Sequence, residues 1–185
     1  MTDGAAQEDG KDAEGSASGD ESTNEQAAYQ AALKLIAHRD RTVHEVRTRL
    51  AEKGFPSTAV DGAVQRLRRL GYLDDLVYAK RAIADVLGAR PAGPRYITDR
   101  LRLKGVHPDV VREALAQAYP DELAEEMAHR AAAKRLARLR HDDPITRRRK
   151  LAGFLSRRGF HYDDVQKALR RALGKLEEEA TDGVE

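Results

Sequence analysis

The chain has 185 residues, of which 35% are charged, 41% hydrophobic and 5% aromatic, with no tryptophan and no cysteine. The lack of cysteine excludes a disulfide framework, a zinc thiolate site and a thiol nucleophile, and few aromatics beside abundant Ala, Leu and Arg favour helices with thin apolar stripes over a sheet-built core. The net charge of +2 conceals a partition: residues 1–26 hold eight acids and one lysine, residues 177–185 hold five acids and no base, and residues 27–176 carry +14.

In chain order, residues 1–26 are rich in Gly, Ser, Asp and Glu with almost no large apolar side chain. Such a segment cannot offset its ordering entropy by burial, so a disordered acidic tail is expected. It lacks the basic-then-apolar pattern of a leader, and no later run approaches the roughly 18 apolar residues of a membrane span. A cytoplasmic protein with no membrane partner is expected. A helix is predicted over about 27–38. Thr42 and Glu45 stand at capping-box spacing before a second helix ending in LAEKGF at 50–55, and Ser57 or Thr58 opens a third. In GYLDD at 71–75, Gly71 ends that helix, Tyr72 and Leu73 pack into a seam, and Asp74 caps the next helix, about 75–88. LRLKGV at 101–106 closes another helix, and His107 with Pro108 starts its successor. A helix follows over about 121–138, then Asp143 before Pro144, the ending LSRRGF at 155–160, and a last helix opened by Asp163. The acidic EEEATDGVE at 177–185 is expected to be a second tail.

The three endings superpose on Gly54, Gly105 and Gly159. Eight residues before each glycine stand Val46, Ile97 and Leu151; four before, Leu50, Leu101 and Leu155; one before, Lys53, Lys104 and Arg158. After it come Phe55, Val106 and Phe160, then Val60, Val111 and Val165 at plus six, and Ala63, Ala114 and Ala168 at plus nine. This is an internal repeat of about fifty residues. The positions before the glycine form one face of a helix and those after it one face of the next, joined by a tight turn. With a further helix before each pair, the predicted fold is all-α: three tandem three-helix repeats (27–73, 74–119 and 120–176) forming an elongated, curved helical-repeat solenoid. Nine helices with axes at the usual spacing would reach on the order of 80 Å, a shape that suits a long partner.

A cation in a last helical turn is favoured by the helix dipole, and this alone accounts for a single Lys or Arg before a glycine. Cations nevertheless recur around all three junctions. Lys53, Arg66, Arg68 and Arg69 surround the first, Arg100, Arg102 and Lys104 the second, and Arg147, Arg148, Arg149, Lys150, Arg157 and Arg158 the third. Repeated placement would make a basic stripe able to bind phosphates. The paired helices also suggest a helix-turn-helix DNA reader, but the exposed positions after the first turn (Asp61, Gln65, Arg68) are a mixed set for base recognition. The histidines of HDD at 141–143 and HYDD at 161–164 fit helix starts better than a metal site. No phosphate-cradling glycine loop, nucleophile elbow or catalytic carboxylate pair occurs, so neither an enzyme nor a cofactor is expected.

GYLDDLVYA at 71–79, GPRYITDRLRLKGV at 93–106 and RRKLAGFLSRRGF at 148–160 together resemble the bacterial RecX regulators of the recombinase RecA, and HRDRTVHEVRTRLAEKGF at 38–55 fits that family's first repeat. The resemblance covers about residues 30–173. It implies a non-enzymatic, monomeric chain of three-helix repeats that binds the RecA nucleoprotein filament along its groove. It implies inhibition of ATP hydrolysis, strand exchange and filament growth in recombination, DNA repair and the SOS response. Single- or double-stranded DNA would be bound weakly, without strong sequence preference. The rival reading is a helix-turn-helix-like DNA-binding regulator acting without RecA. The acidic N-terminal tail lies outside the family pattern.

Overall fold

Four glycines with positive φ, Gly54 (84°), Gly71 (74°), Gly105 (73°) and Gly159 (81°), reverse the chain in the computed structural model, which describes the backbone of residues 13–182 and the side chains of residues 22–174. Among the described residues there are nine α-helices and no strand. They are α1 (Ala13–His38), α2 (Val43–Glu52), α3 (Ser57–Arg69), α4 (Asp75–Ala89), α5 (Pro94–Leu103), α6 (Pro108–Ala118), α7 (Asp121–Leu136), α8 (Pro144–Arg157) and α9 (Tyr162–Asp182). None is long and apolar enough to cross a membrane. The helices fall into two compact units, one ending at Asp74 and the other beginning at Asp75.

In the first unit α1 packs most extensively on α3, with α2 against both. Ala28 and Ala32, one turn apart and fully buried, let α1 approach a core of Val46, Leu50, Val60, Val64, Leu67 and Leu73. Helix α2 opens with the expected capping box. The Glu45 amide donates to Thr42 Oγ1 at 3.1 Å and the Thr42 amide to Glu45 Oε2 at 3.4 Å, with Thr42 itself fully buried. It closes with a double hydrogen bond, Phe55 N–H to the Leu50 carbonyl (3.3 Å) and Gly54 N–H to the Ala51 carbonyl (2.9 Å). This leaves Gly54 in the left-handed conformation that a Cβ disfavours. The same pair of bonds recurs at Gly105 and Gly159, so the repeat seen in sequence is a repeat of one turn geometry.

The second unit contains both remaining repeats around a single core that runs from Ala79 and Ile83 through Ile97, Leu101 and Val111 to Leu151, Leu155, Val165 and Leu169. Within each repeat the first helix again packs chiefly on the third, α4 on α6 and α7 on α9. A repeat of about fifty residues buries too little apolar surface to be secure alone, which a shared core remedies. Within the second repeat the buried Tyr119 hydroxyl, at the end of α6, donates to the buried Ala92 carbonyl at 2.7 Å. The second repeat joins the third where the α5 start meets the α8 end, with Gly93 N–H on the Arg158 carbonyl (2.8 Å) and Arg95 N–H on the Gly159 carbonyl (3.1 Å).

Several local expectations need correction. Helix α1 begins at Ala13, upstream of the predicted start near 27, and α9 continues to Asp182, so parts of both expected tails are helical. Docking of Ala28, Tyr29 and Ala32, with Gln26 accepting from Arg66 at 2.8 Å, anchors α1, and helix propagates outward from an anchored segment. The remainder of the expected tails, residues 1–12 and 183–185, lies outside the described residues. Tyr72 is 60% exposed while Leu73 is buried, because the reversal at Gly71 turns only Leu73 inward. Ser57 is the first helical residue of α3, and the cap position belongs to Pro56, which makes no side-chain bond. Asp163 lies inside the first turn of α9. Asp74 does stand immediately before α4.

Candidate functional site

The cations around the repeat junctions do not share one environment, because each junction is packed differently. At the first, Lys53 and Gly54 are exposed, but Arg66, Arg68 and Arg69 lie in the last turn of α3, at the far end of that helix next to Gly71; Arg68 and Arg69 are exposed there, whereas Arg66 stacks on the Tyr29 ring with its guanidinium 4.0 Å from the ring centre and bonds Gln26. Arg66 therefore helps clamp α1 to α3. At the second, Arg100 and Arg102 are exposed on the last turn of α5 and Lys104 is half-buried. At the third, Gly159 is buried beneath the α5 start, while Gly54 and Gly105 are exposed.

The basic run of α8 divides by the helical period. Arg147 is half-buried and donates to the carbonyls of Leu139 (3.2 Å), Arg140 (3.1 Å) and Asp142 (2.8 Å), fastening the α7–α8 loop. Lys150 pairs with Asp142 at 2.6 Å, and Arg148 donates to Gln166 of α9 at 3.3 Å. Arg149 and Arg157 point to solvent. The aspartates of HDD have structural partners too: Asp142 takes Lys150, and Asp143 caps α8 by accepting from Thr146 N–H at 3.0 Å. That bond and one from the Thr146 side chain hold the Asp143 carboxyl below its ordinary range.

Arg90, just past α4, lines two concave sites of the second unit. The first, about 310 Å³, includes Tyr78, Asp85, Arg90, Arg100 and Lys104. On the α5 side Tyr96 accepts from Arg100 (3.4 Å) and Arg90 (2.6 Å), and these cationic donors hold its hydroxyl below the usual tyrosine range. The second, also about 310 Å³, is walled by Arg90, Lys134, Arg135, Arg138 and Arg158 over Phe154, with Pro91 and Ala131 completing it. Arg135 and Arg158 lie against the Phe154 ring, their guanidinium carbons 5.5 and 5.3 Å from its centre.

Of the predicted stripe, Arg100 and Lys104 reach the first concavity and Arg158 the second. Arg90, Lys134, Arg135 and Arg138 are not among the predicted residues. A signal for three of them is present in the sequence: Lys134 and Arg135 lie in the last turn of α7 and Arg138, three to four residues on, just past its cap, within the densely basic stretch 127–176. A stripe drawn outward from the glycines does not reach them.

Comparison with known proteins bears on this helical architecture directly. The models of the first and third three-helix domains of RecX match residues 28–67 and 122–169, which fall within α1–α3 and α7–α9. A regulatory protein RecX from Pelodictyon phaeoclathratiforme is 36% identical over 147 residues, covering 80% of this chain and 89% of that relative. The chain belongs to the RecX family. A RecX from Bacillus pumilus is 33% identical across 82% of this chain, which spans 57% of that longer relative. The crystal structure of RecX from Lactobacillus salivarius superposes with a TM-score of 0.77 at 24% identity, covering 82% of this chain and 97% of that one. The likeness to RecX read from GYLDDLVYA and its companion segments is thus borne out, as is an all-helical repeat fold. Membership supports a regulatory role.

Proposed function

We propose that this RecX chain binds the RecA nucleoprotein filament, along its groove, and restrains RecA ATPase activity, strand exchange and filament growth during recombination, DNA repair and the SOS response. It acts as a non-enzymatic, cytoplasmic monomer. The observation that carries the reading is membership of the RecX family, joined to exposed cations on each unit that have no assigned work in the core. Lys53, Arg68 and Arg69 in the first unit and Arg102, Arg149 and Arg157 in the second are exposed in this way. Cations so placed supply the salt-sensitive attraction that a filament carrying DNA phosphates rewards. DNA alone is bound weakly and without strong sequence preference, a reading that the mixed set Asp61, Gln65 and Arg68 on α3 favours.

Co-sedimentation of the full chain with preformed RecA filaments, beside naked single- and double-stranded DNA, tests the reading together with RecA ATPase turnover. The expected result is preferential recovery with filaments and a fall in ATPase rate. Unchanged ATPase and strand exchange at saturating protein would overturn it, and recovery with one naked duplex sequence only would make the chain a free-standing DNA-binding regulator.

A further inference from the structure

We propose that the concavity over Phe154 is a phosphate-binding site, built to hold the phosphodiester backbone of a polynucleotide. It deepens the filament reading by naming where nucleic acid touches the chain, and rests on that reading only for the source of the phosphate. Five cations from three separate stretches, the end of α4, the end of α7 and the cap of α8, converge on one cavity of about 310 Å³ whose lining contains no acid. Elsewhere in this unit several cations have acceptors: Arg147 on three carbonyls, Lys150 on Asp142, Lys167 on Glu125. Here Arg135 Nε and Arg158 Nη1 are buried without a protein acceptor. A buried, charged donor without a partner is costly, and so is a set of like charges drawn together, and an incoming oxyanion relieves both.

All five cations stand at or just past helix C-termini, where the dipole favours a cation at each end taken singly. The dipole does not by itself require that three such ends bring their cations to one cavity whose lining has no acid. The guanidiniums are instead held on the faces of Phe154, a placement that fixes their forks before a ligand arrives. Planar forks match the oxygens of a phosphate pairwise. Pro91, Ala131 and Phe154 supply apolar surface for the sugar attached to it, while the exposed Lys134 and Arg138 stand at the rim for a neighbouring phosphate.

The test uses the full chain and a fluorescent oligothymidylate, with anisotropy followed across a salt series. Two double variants are compared with the wild type: Lys134→Gln with Arg138→Gln at the exposed rim, where folding is not at stake, and Arg135→Gln with Arg158→Gln inside. Each is expected to weaken binding about tenfold and to flatten the dependence of log affinity on log salt by about 0.7 for each phosphate that the variant no longer neutralises. Helix content by circular dichroism should be unchanged in the rim variant. Rim-variant binding equal to wild type in affinity and slope would overturn the proposal. Inorganic pyrophosphate, titrated calorimetrically, is the second arm. Competition by pyrophosphate with the oligonucleotide supports one shared site, whereas pyrophosphate binding that leaves oligonucleotide binding untouched overturns the backbone as its source. RecA ATPase run in parallel separates the two claims. Wild-type inhibition with undiminished oligonucleotide binding by the variants sinks the pocket alone, and weakened binding by the variants without wild-type inhibition sinks the filament reading alone.

Discussion

Gly93 and Gly159 meet backbone to backbone in the second unit. A Cβ on Gly93 would run into the carbonyl group of Gly159, and a Cβ on Gly159 would run into the backbone of Tyr96. The approach lets the amides of Gly93 and Arg95 take the carbonyls of Arg158 and Gly159, setting the start of α5 on the end of α8 with opposite dipole ends together. One turn residue of the third repeat is thereby the docking point for the second.

Alanine substitutions at three glycines separate the two demands on this turn. Gly54 needs only its left-handed φ of 84°, with open space around the missing Cβ, so Gly54→Ala should cost about 1–2 kcal/mol. Gly93 has an ordinary φ of −86°, so Gly93→Ala isolates the collision, at about 1–3 kcal/mol. Gly159→Ala suffers both and should be the worst of the three. Urea unfolding of the full chain orders them, and equal destabilisation by Gly54→Ala and Gly159→Ala would remove close approach from the account of this junction.

The basic run of α8 makes a second prediction, because its members do different things. Arg147→Ala strips a charged donor from three loop carbonyls and should cost about 2 kcal/mol. Arg149→Ala, on the solvent side of the same helix, should stay within about 0.5 kcal/mol. Thermal unfolding of the two variants measures the difference. Comparable stability for both would mean that the loop does not depend on Arg147.

Acidification supplies a third. Asp143, bonded by Thr146, and Glu125, held by Lys167 at 2.8 Å, have carboxyls below their ordinary range. The folded chain therefore releases these protons more readily than the unfolded one. Their contribution is present above the unfolded carboxylate value of about 4 and is lost as pH falls through the lower folded values. Lys167 is raised by its bond to Glu125, so its contribution is present below the unfolded lysine value and lost as pH rises through the folded one. Asp164 runs the other way. Burial raises it, so its ionisation opposes folding and stability returns as pH falls toward the unfolded value. Asp143→Asn keeps an acceptor for Thr146, and should alter the melting temperature little at neutral pH while flattening its fall below about pH 4. An acid limb as steep as that of the wild type would show that this cap carries none of the pH dependence.

The repeat and its turns are legible in residue spacing alone. Val46, Ile97 and Leu151, then Leu50, Leu101 and Leu155, and then Val60, Val111 and Val165 are all buried, as their shared distances from the three glycines require, and each glycine has positive φ. These properties are local: the helical period sets which residues share a face, and chirality sets which residue can reverse the chain. Likewise Thr42 with Glu45, His107 and Asp143 cap their helices through partners a few residues away. How the second and third repeats meet is settled by packing across the fold. That the third turn lies under α5, that Arg66 and Arg147 serve as clamps, and that Arg90, Arg135 and Arg158 line one cavity with Phe154 all depend on contacts between distant segments. Three nearly equivalent turns cannot announce which of them will be covered, because burial belongs to the neighbour that arrives and leaves no mark on the turn's own spacing.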